Sequence, residues 1–240
     1  MVQEKLPVNI VIICGSPIKE GNVETLLRVA LKEIKDLPDV ETELILLAEW
    51  WKSFRGCNHC NFCTTKQEPR RFCMIDDQMT EVYPKLLKAD AIVFASPTYA
   101  TRITGLLTCF MDRMRPLYVG RIYNGSLKYK VGAALAVSFG RQSGNETTLL
   151  SIIQSLLLWG MIPSSNNLKG PYGAVALSSY GGEGKIDPND RHAVLKDKYG
   201  VKRTKQLFSE VVGLTKIIKK GTDAFNIENQ YLQIYKKGAQ

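Results

Sequence analysis

Val8-Asn9-Ile10-Val11-Ile12-Ile13-Cys14-Gly15-Ser16-Pro17 is the stretch whose reading decides the fold. Apart from Asn9, the first seven residues are apolar without interruption. A strand solvated on one face alternates apolar and polar residues. A strand covered on both faces has no such need, and double cover belongs to parallel sheets flanked by helices. Gly15-Ser16-Pro17 then ends the run in a turn. Val23, Leu26, Leu27, Ala30 and Ile34 follow at helical spacing, up to Lys35, with Asn22 placed to cap the helix.

The pattern repeats along the chain. Strands are predicted at Thr42–Ala48, Ala89–Ala95, Val131–Phe139 and Ala174–Ser178. Helices are predicted at Asp77–Lys88, Leu106–Met114 and Glu146–Trp159, and Pro84 is expected to distort or break the first of these. A long basic amphipathic helix runs from Arg191 to Lys220, with a break expected at Gly200, and residues 221–240 read as a tail. Alternating strands and helices imply an α/β domain whose parallel sheet is covered on both faces. Five strands fit the flavodoxin-like order 2-1-3-4-5, in which a ligand sits at the carboxyl ends of strands 1 and 3. Residues 1–190 form that domain, with a cysteine-rich insertion after strand 2 at 50–76. Residues 191–240 are expected to pack on it or on a neighbouring subunit.

Composition narrows the class. The 240 residues carry a net charge of +9. The excess is uneven: 1–101 is slightly acidic, while 102–141 and 185–240 each carry about +6. No apolar run reaches transmembrane length, and the N-terminus lacks a cleavage pattern, so the cytoplasm is the expected compartment. No nucleic-acid module is recognisable, and the basic faces suit acidic proteins or phosphorylated ligands instead.

Four of six cysteines fall between residues 57 and 73: Cys57-Asn58-His59-Cys60-Asn61-Phe62-Cys63, then Cys73. Where disulfides are rare, such density means metal or redox chemistry. The spacing is nearer the ferredoxin manner of holding [4Fe–4S] than the paired knuckles of zinc sites. Zinc and free thiols remain alternatives. Cys14 and Cys109 read as core residues, and Trp50 and Trp51 as packing. Asp76-Asp77 suits a helix N-terminus rather than acid–base work. His192 has no evident partner.

Ligand chemistry is expected in the loops after strands 1, 3 and 4. Gly15–Val23 opens a helix whose free N–H groups suit a phosphate, with Ser16 and Asn22 as donors and Lys19 as a charge. Ser96–Thr101 offers Tyr99 to a planar ring. Gly140 and Gly144 permit close backbone approach, and Arg141 supplies a positive group.

Taken as an ordered set, these residues resemble a known family. Gly15-Ser16-Pro17 with Gly21-Asn22, the cysteine run, Cys73-Met-Ile-Asp76-Asp77 with Met79, Ala89-Asp90-Ala91, Ser96-Pro97-Thr98-Tyr99 and Met111-Asp112-Arg113 are similar to the iron–sulfur flavoprotein branch of the flavodoxin-like NADPH-dependent FMN reductases. The resemblance implies FMN across the three loops, with its phosphate on Ser16, Asn22 and Val23 and its ring lined by Pro97, Thr98, Tyr99 and Ala100. It implies a [4Fe–4S] cluster on Cys57, Cys60, Cys63 and Cys73. The family often has arginine where Ile18 stands and Ser or Thr where Val23 stands, which leaves Lys19 as the replacement contact. It also spaces its last two cysteines more closely. A homodimer or homotetramer is implied, with ferredoxin or a similar acidic carrier as partner, docking on Arg113, Arg115, Arg121, Lys128 and Lys130. One alternative is an NAD(P)H-dependent flavin or quinone reductase whose cysteines bind zinc or stay free. Another is a non-catalytic binding module with a basic surface.

Overall fold

The computed structural model describes residues 6–185, 187 and 189–227. The tail expected at 221–240 falls outside them beyond residue 227. Strand β1 (Val8–Cys14) pairs in parallel with β2 (Val40–Leu46) on one side and β3 (Ala91–Tyr99) on the other. Two short helices lie between β2 and β3 or follow them closely: α2 (Phe62–Thr65) in the cysteine segment and, after a two-residue β4 (Arg102–Ile103) and α4 (Gly105–Asp112), α5 (Arg115–Tyr118). Strand β5 (Val131–Ser138) extends the parallel sheet beyond β3.

The sheet has seven strands rather than five, although the parallel order is the one expected. Two strands share the fifth place. β6 (Ile162–Pro163) pairs with Val131 and Gly132, and β7 (Ala174–Leu177) pairs with Leu135 to Ser138. Ile162 N–H donates to Lys130 O and Ser164 N–H to Gly132 O, so Pro163 stands where its missing N–H would point away from β5. The seventh strand is β4, which turns back antiparallel on the end of β3.

Period two sorts the buried strands between two cores. Ile10 and Ile12 of β1 face helix α1 (Asn22–Ile34) and α7 (Lys198–Ala224), meeting Leu26, Leu27, Leu207 and Phe208. Val11 and Ile13 face the other way, among Leu86 of α3 (Met79–Lys88), Leu107 and Phe110 of α4, and Leu149 and Ile152 of α6 (Asn145–Leu158).

Three expectations are corrected. Helix α3 continues through Pro84, because the proline and Thr80, whose carbonyl loses its partner, both lie on the exposed face. Helix α7 is unbroken at Gly200. There the glycine allows close contact: an added Cβ would stand 2.7 Å from Ala176 Cα on β7. Asn22 does not cap α1; Gly21 holds that position, and Asn22 Oδ1 accepts from Val194 N–H at 2.9 Å.

Candidate functional site

The loops after β1, β3 and β5 meet around a cleft of about 340 Å³ at the carboxyl ends of the strands. Its walls include Ser16, Asn22, Val23, Pro97, Thr98, Tyr99 and Ala100, seven of the eleven cofactor residues expected from sequence. With glycine at the cap position of α1, no side chain satisfies the helix's free N–H groups. The positive helix end is thereby left for an anion. Glu24, the acidic residue of that first turn, is turned away: it is buried, accepts from Glu20 N–H and pairs with Arg28 at 2.7 Å.

Hydrogen bonds lock the loops together. Buried Thr104 donates from Oγ1 to Gly15 O at 2.8 Å and accepts from Leu107 N–H, so one hydroxyl both fixes the first loop and caps α4. Ser96 Oγ donates to Pro97 O and accepts from Thr104 N–H. Ala100 and Thr101 both have positive φ, 47° and 64°, in the tight turn between β3 and β4. For β-branched Thr101 that backbone is strained, a condition concentrated at ligand-holding loops. Gly144, at φ 88°, packs against Thr101, where a Cβ would fall 2.4 Å from the carbonyl oxygen. Tyr99 is half exposed at the mouth, and partial burial raises its phenol pKa.

Four expected residues do not line this cleft. Lys19 is exposed. Gly140 and Gly144 shape the third loop from behind. Arg141 stands on a neighbouring cavity, donating from Nη2 to Gly181 O at 2.7 Å. Ile18, Val137, Ser138, Phe139 and Ser178 complete the cleft instead. Sequence reasoning missed them as cofactor residues, although the carboxyl-end rule that selected the loop after β5 extends to Val137 and Ser138 at the end of β5 and to Ser178 just after β7.

The cysteine segment lies between β2 and α3. Cys63 is buried on α2, Cys57 and Cys73 are half-buried, and Cys60 is exposed. Burial raises the Cys63 pKa, Arg115 opposes this, and the nearby Cys73 and Cys57 add to the rise. Cys57 Sγ accepts from His59 N–H at 3.4 Å through a left-handed turn at His59. In donor type the segment fits a thiolate-bound metal centre. Among the described residues, however, no three Cys, His, Asp or Glu side chains are gathered into a metal-holding group.

Arg113 frames this segment and corrects the expected docking surface. It is 1% exposed, not a surface cation. Its guanidinium grips Asp77 at 2.8 and 3.0 Å, and donates to Arg55 O and Ile75 O, just outside the first and last cysteines of the segment. Burial works against the charge, but the Asp77 hydrogen bonds prevail and hold its pKa above the usual guanidinium range. Lys130 is likewise engaged, with Leu87 O and Ala89 O. Arg121 is exposed, and its N–H donates to Cys63 O at 2.8 Å. His192 has a partner after all, Thr25 Oγ1 at 2.8 Å.

Comparison with known proteins agrees with this arrangement. The family model described as NADPH-dependent FMN reductase matches residues 8–168. An iron–sulfur flavoprotein of Methanocaldococcus jannaschii is 35% identical over 209 residues, covering 87% of this chain and 97% of that protein. An iron–sulfur flavoprotein of Methanosarcina thermophila is 36% identical, covering 65% and 76%. The solved structure of RosB with bound 8-demethyl-8-formylriboflavin-5′-phosphate shares the fold at a TM-score of 0.64 and 13% identity, over 89% of this chain and 81% of RosB. No helix among the described residues is long and apolar enough to cross a membrane. The fold and its switch-point cleft are thus joined by relatives in sequence: the chain belongs to the NADPH-dependent FMN reductase family, in its iron–sulfur flavoprotein branch, and is a flavin-dependent oxidoreductase.

Proposed function

We propose that the protein is an electron-transfer oxidoreductase holding FMN and a [4Fe–4S] cluster, which passes electrons between a one-electron carrier such as ferredoxin and an acceptor. The observation that carries this reading is the cleft where the uncapped end of α1 faces Tyr99 and Phe139 across the switch point. FMN accepts electrons in pairs and releases them singly, and a cluster moves one at a time. The helix end and Ser16 would hold the phosphate, and Pro97 to Ala100 would flank the ring. Cys57, Cys60, Cys63 and Cys73 would hold the cluster, with the Arg113 clamp fixing both ends of their segment. The test is FMN, iron and sulfide content together with the spectrum of protein purified without oxygen. One FMN and four irons per chain support the reading, and colourless protein overturns it.

The docking surface for an acidic carrier is redrawn around the cysteine segment. Exposed Arg121 bonds the chain at Cys63, and Arg70 N–H donates to the hydroxyl of Tyr123 from the same long loop. Reversing both charges, R70E/R121E, should slow reduction by ferredoxin at low salt and not at high salt. An unchanged low-salt rate rejects the dock. A homodimer or homotetramer and a cytoplasmic location complete the proposal.

A second reading is an NAD(P)H-dependent flavin or quinone reductase whose cysteines bind zinc or stay free. It is supported by the family model described as NADPH-dependent FMN reductase, whose match takes in all of the cleft's wall but Ser178. Stoichiometric zinc and a flavin-only spectrum would select it.

A further inference from the structure

A second and larger cavity, of about 900 Å³, opens on the far side of the third loop, between that loop, the segment before β7 and the start of α7. Leu177 and Ser179 line it, next in sequence to Ser178 of the first cleft, yet no residue lines both. Its volume lies within the range of small-molecule sites. Five cationic side chains contribute to its wall, one of them, Lys196, already paired with Asp190 at 2.6 Å, against two carboxylates. One of those, Asp197, is already engaged: its two oxygens accept from Gly200 N–H at 2.9 Å and Leu177 N–H at 2.8 Å. Glu146 is then the remaining acceptor of its kind.

Arg203 is the decisive side chain. It is 9% exposed and lines the cavity, and its Nε–H has no hydrogen-bond partner among the described residues. A buried guanidinium donor without an acceptor is rare, because its unmet hydrogen bond is costly. The guanidinium lies over the ring of Tyr199, 4.9 Å from its centroid, which fixes its plane. Tyr172 adds a second, partly exposed ring, and Lys169 and Lys198 add exposed positive charge. Such a wall meets one kind of molecule best. An anionic group is drawn to the guanidinium charge of Arg203 and the lysines beside it, and a flat ring covers the tyrosines.

We propose that this cavity is a binding site for a small aromatic anion, a planar ring bearing a sulfonate, carboxylate or phosphate. The site is independent of the cofactor reading above. Naphthalene-2-sulfonate, 2-naphthol and inorganic sulfate separate ring from charge, and each is titrated into the whole protein as purified, by calorimetry. The sulfonate should bind one per chain, at least about ten-fold tighter than either 2-naphthol or sulfate. R203M should weaken it about ten-fold, and K198E, which changes an exposed residue and leaves the fold intact, should weaken it several-fold. Equal affinity for 2-naphthol and the sulfonate, or unchanged affinity in K198E and R203M, overturns the proposal. So does displacement of the sulfonate by free FMN, which would assign the probe to the first cleft.

Discussion

Replacing Arg113 with methionine tests the clamp on the cysteine segment. The substitution keeps most of the side chain's length and apolar volume while removing the charge and every donor. Asp77, with its side chain only 12% exposed, would then lose its ionic partner, and the Arg55 and Ile75 carbonyls their donors. Breaking a buried pair from one side costs about 3–5 kcal/mol, since the surviving charge stays desolvated. Asp77 retains Met79 N–H and some access to water, which favours the lower end. For a chain of this length, about 3 kcal/mol corresponds to a melting temperature lower by roughly 6–12 °C. The double variant D77L/R113M removes both charges and should recover part of the loss, less about 1 kcal/mol for the lost hydrogen bond from Met79 N–H. Denaturant and thermal unfolding of the three proteins measure both quantities. The reasoning fails if R113M lies within 1 kcal/mol of the parent or if the double variant is the less stable of the two.

Three further outcomes are expected. G200A should destabilise by about 1–2 kcal/mol even though alanine is the better helix former, because the new Cβ overlaps Ala176 on β7; a rise in melting temperature would contradict the close contact. T104V leaves Gly15 O without its donor and α4 without its cap, so unfolding should become easier by about 1–3 kcal/mol and flavin-free protein should rebind FMN more weakly; unaltered FMN titrations would separate the first loop from this hydroxyl. Burial lifts the Cys14 thiol from 9.0 to about 12, so its contribution is complete below pH 9 and declines between pH 9 and 12, where the unfolded chain gives up the proton and the folded chain keeps it. In that window the parent should lose up to about 1.4 kcal/mol per pH unit more than C14A, and parallel slopes would refute the burial argument.

What was legible in the sequence was local or periodic. β1 could be read because burial on both faces leaves an uninterrupted apolar run, and the loops of the cleft could be read because the carboxyl-end rule follows from strand order alone. Residues whose role depends on distant partners were not legible. Arg113 follows an apolar helix and resembles a surface cation until Asp77, thirty-six residues earlier, is brought beside it. Asn22 has the composition of a cap, yet its acceptor is taken by Val194, 172 residues away. Arg141 sits in the expected loop, but Gly181 O draws its side chain to the other cavity. The split fifth strand was hidden because two residues ending in proline carry no period to read.

The position of α7 has a practical consequence. The stretch by which the family is recognised ends at residue 168, but β7 and α7 both come later in the chain. A protein shortened to that stretch would bare the outer ladder of β5 and uncover Ile10, Ile12 and Leu27 where Leu207 and Phe208 now lie. Unpaired backbone beside a wet apolar wall invites copies to stick together. Expression boundaries drawn from the match alone should therefore yield aggregates, and those extended beyond Thr215 should not.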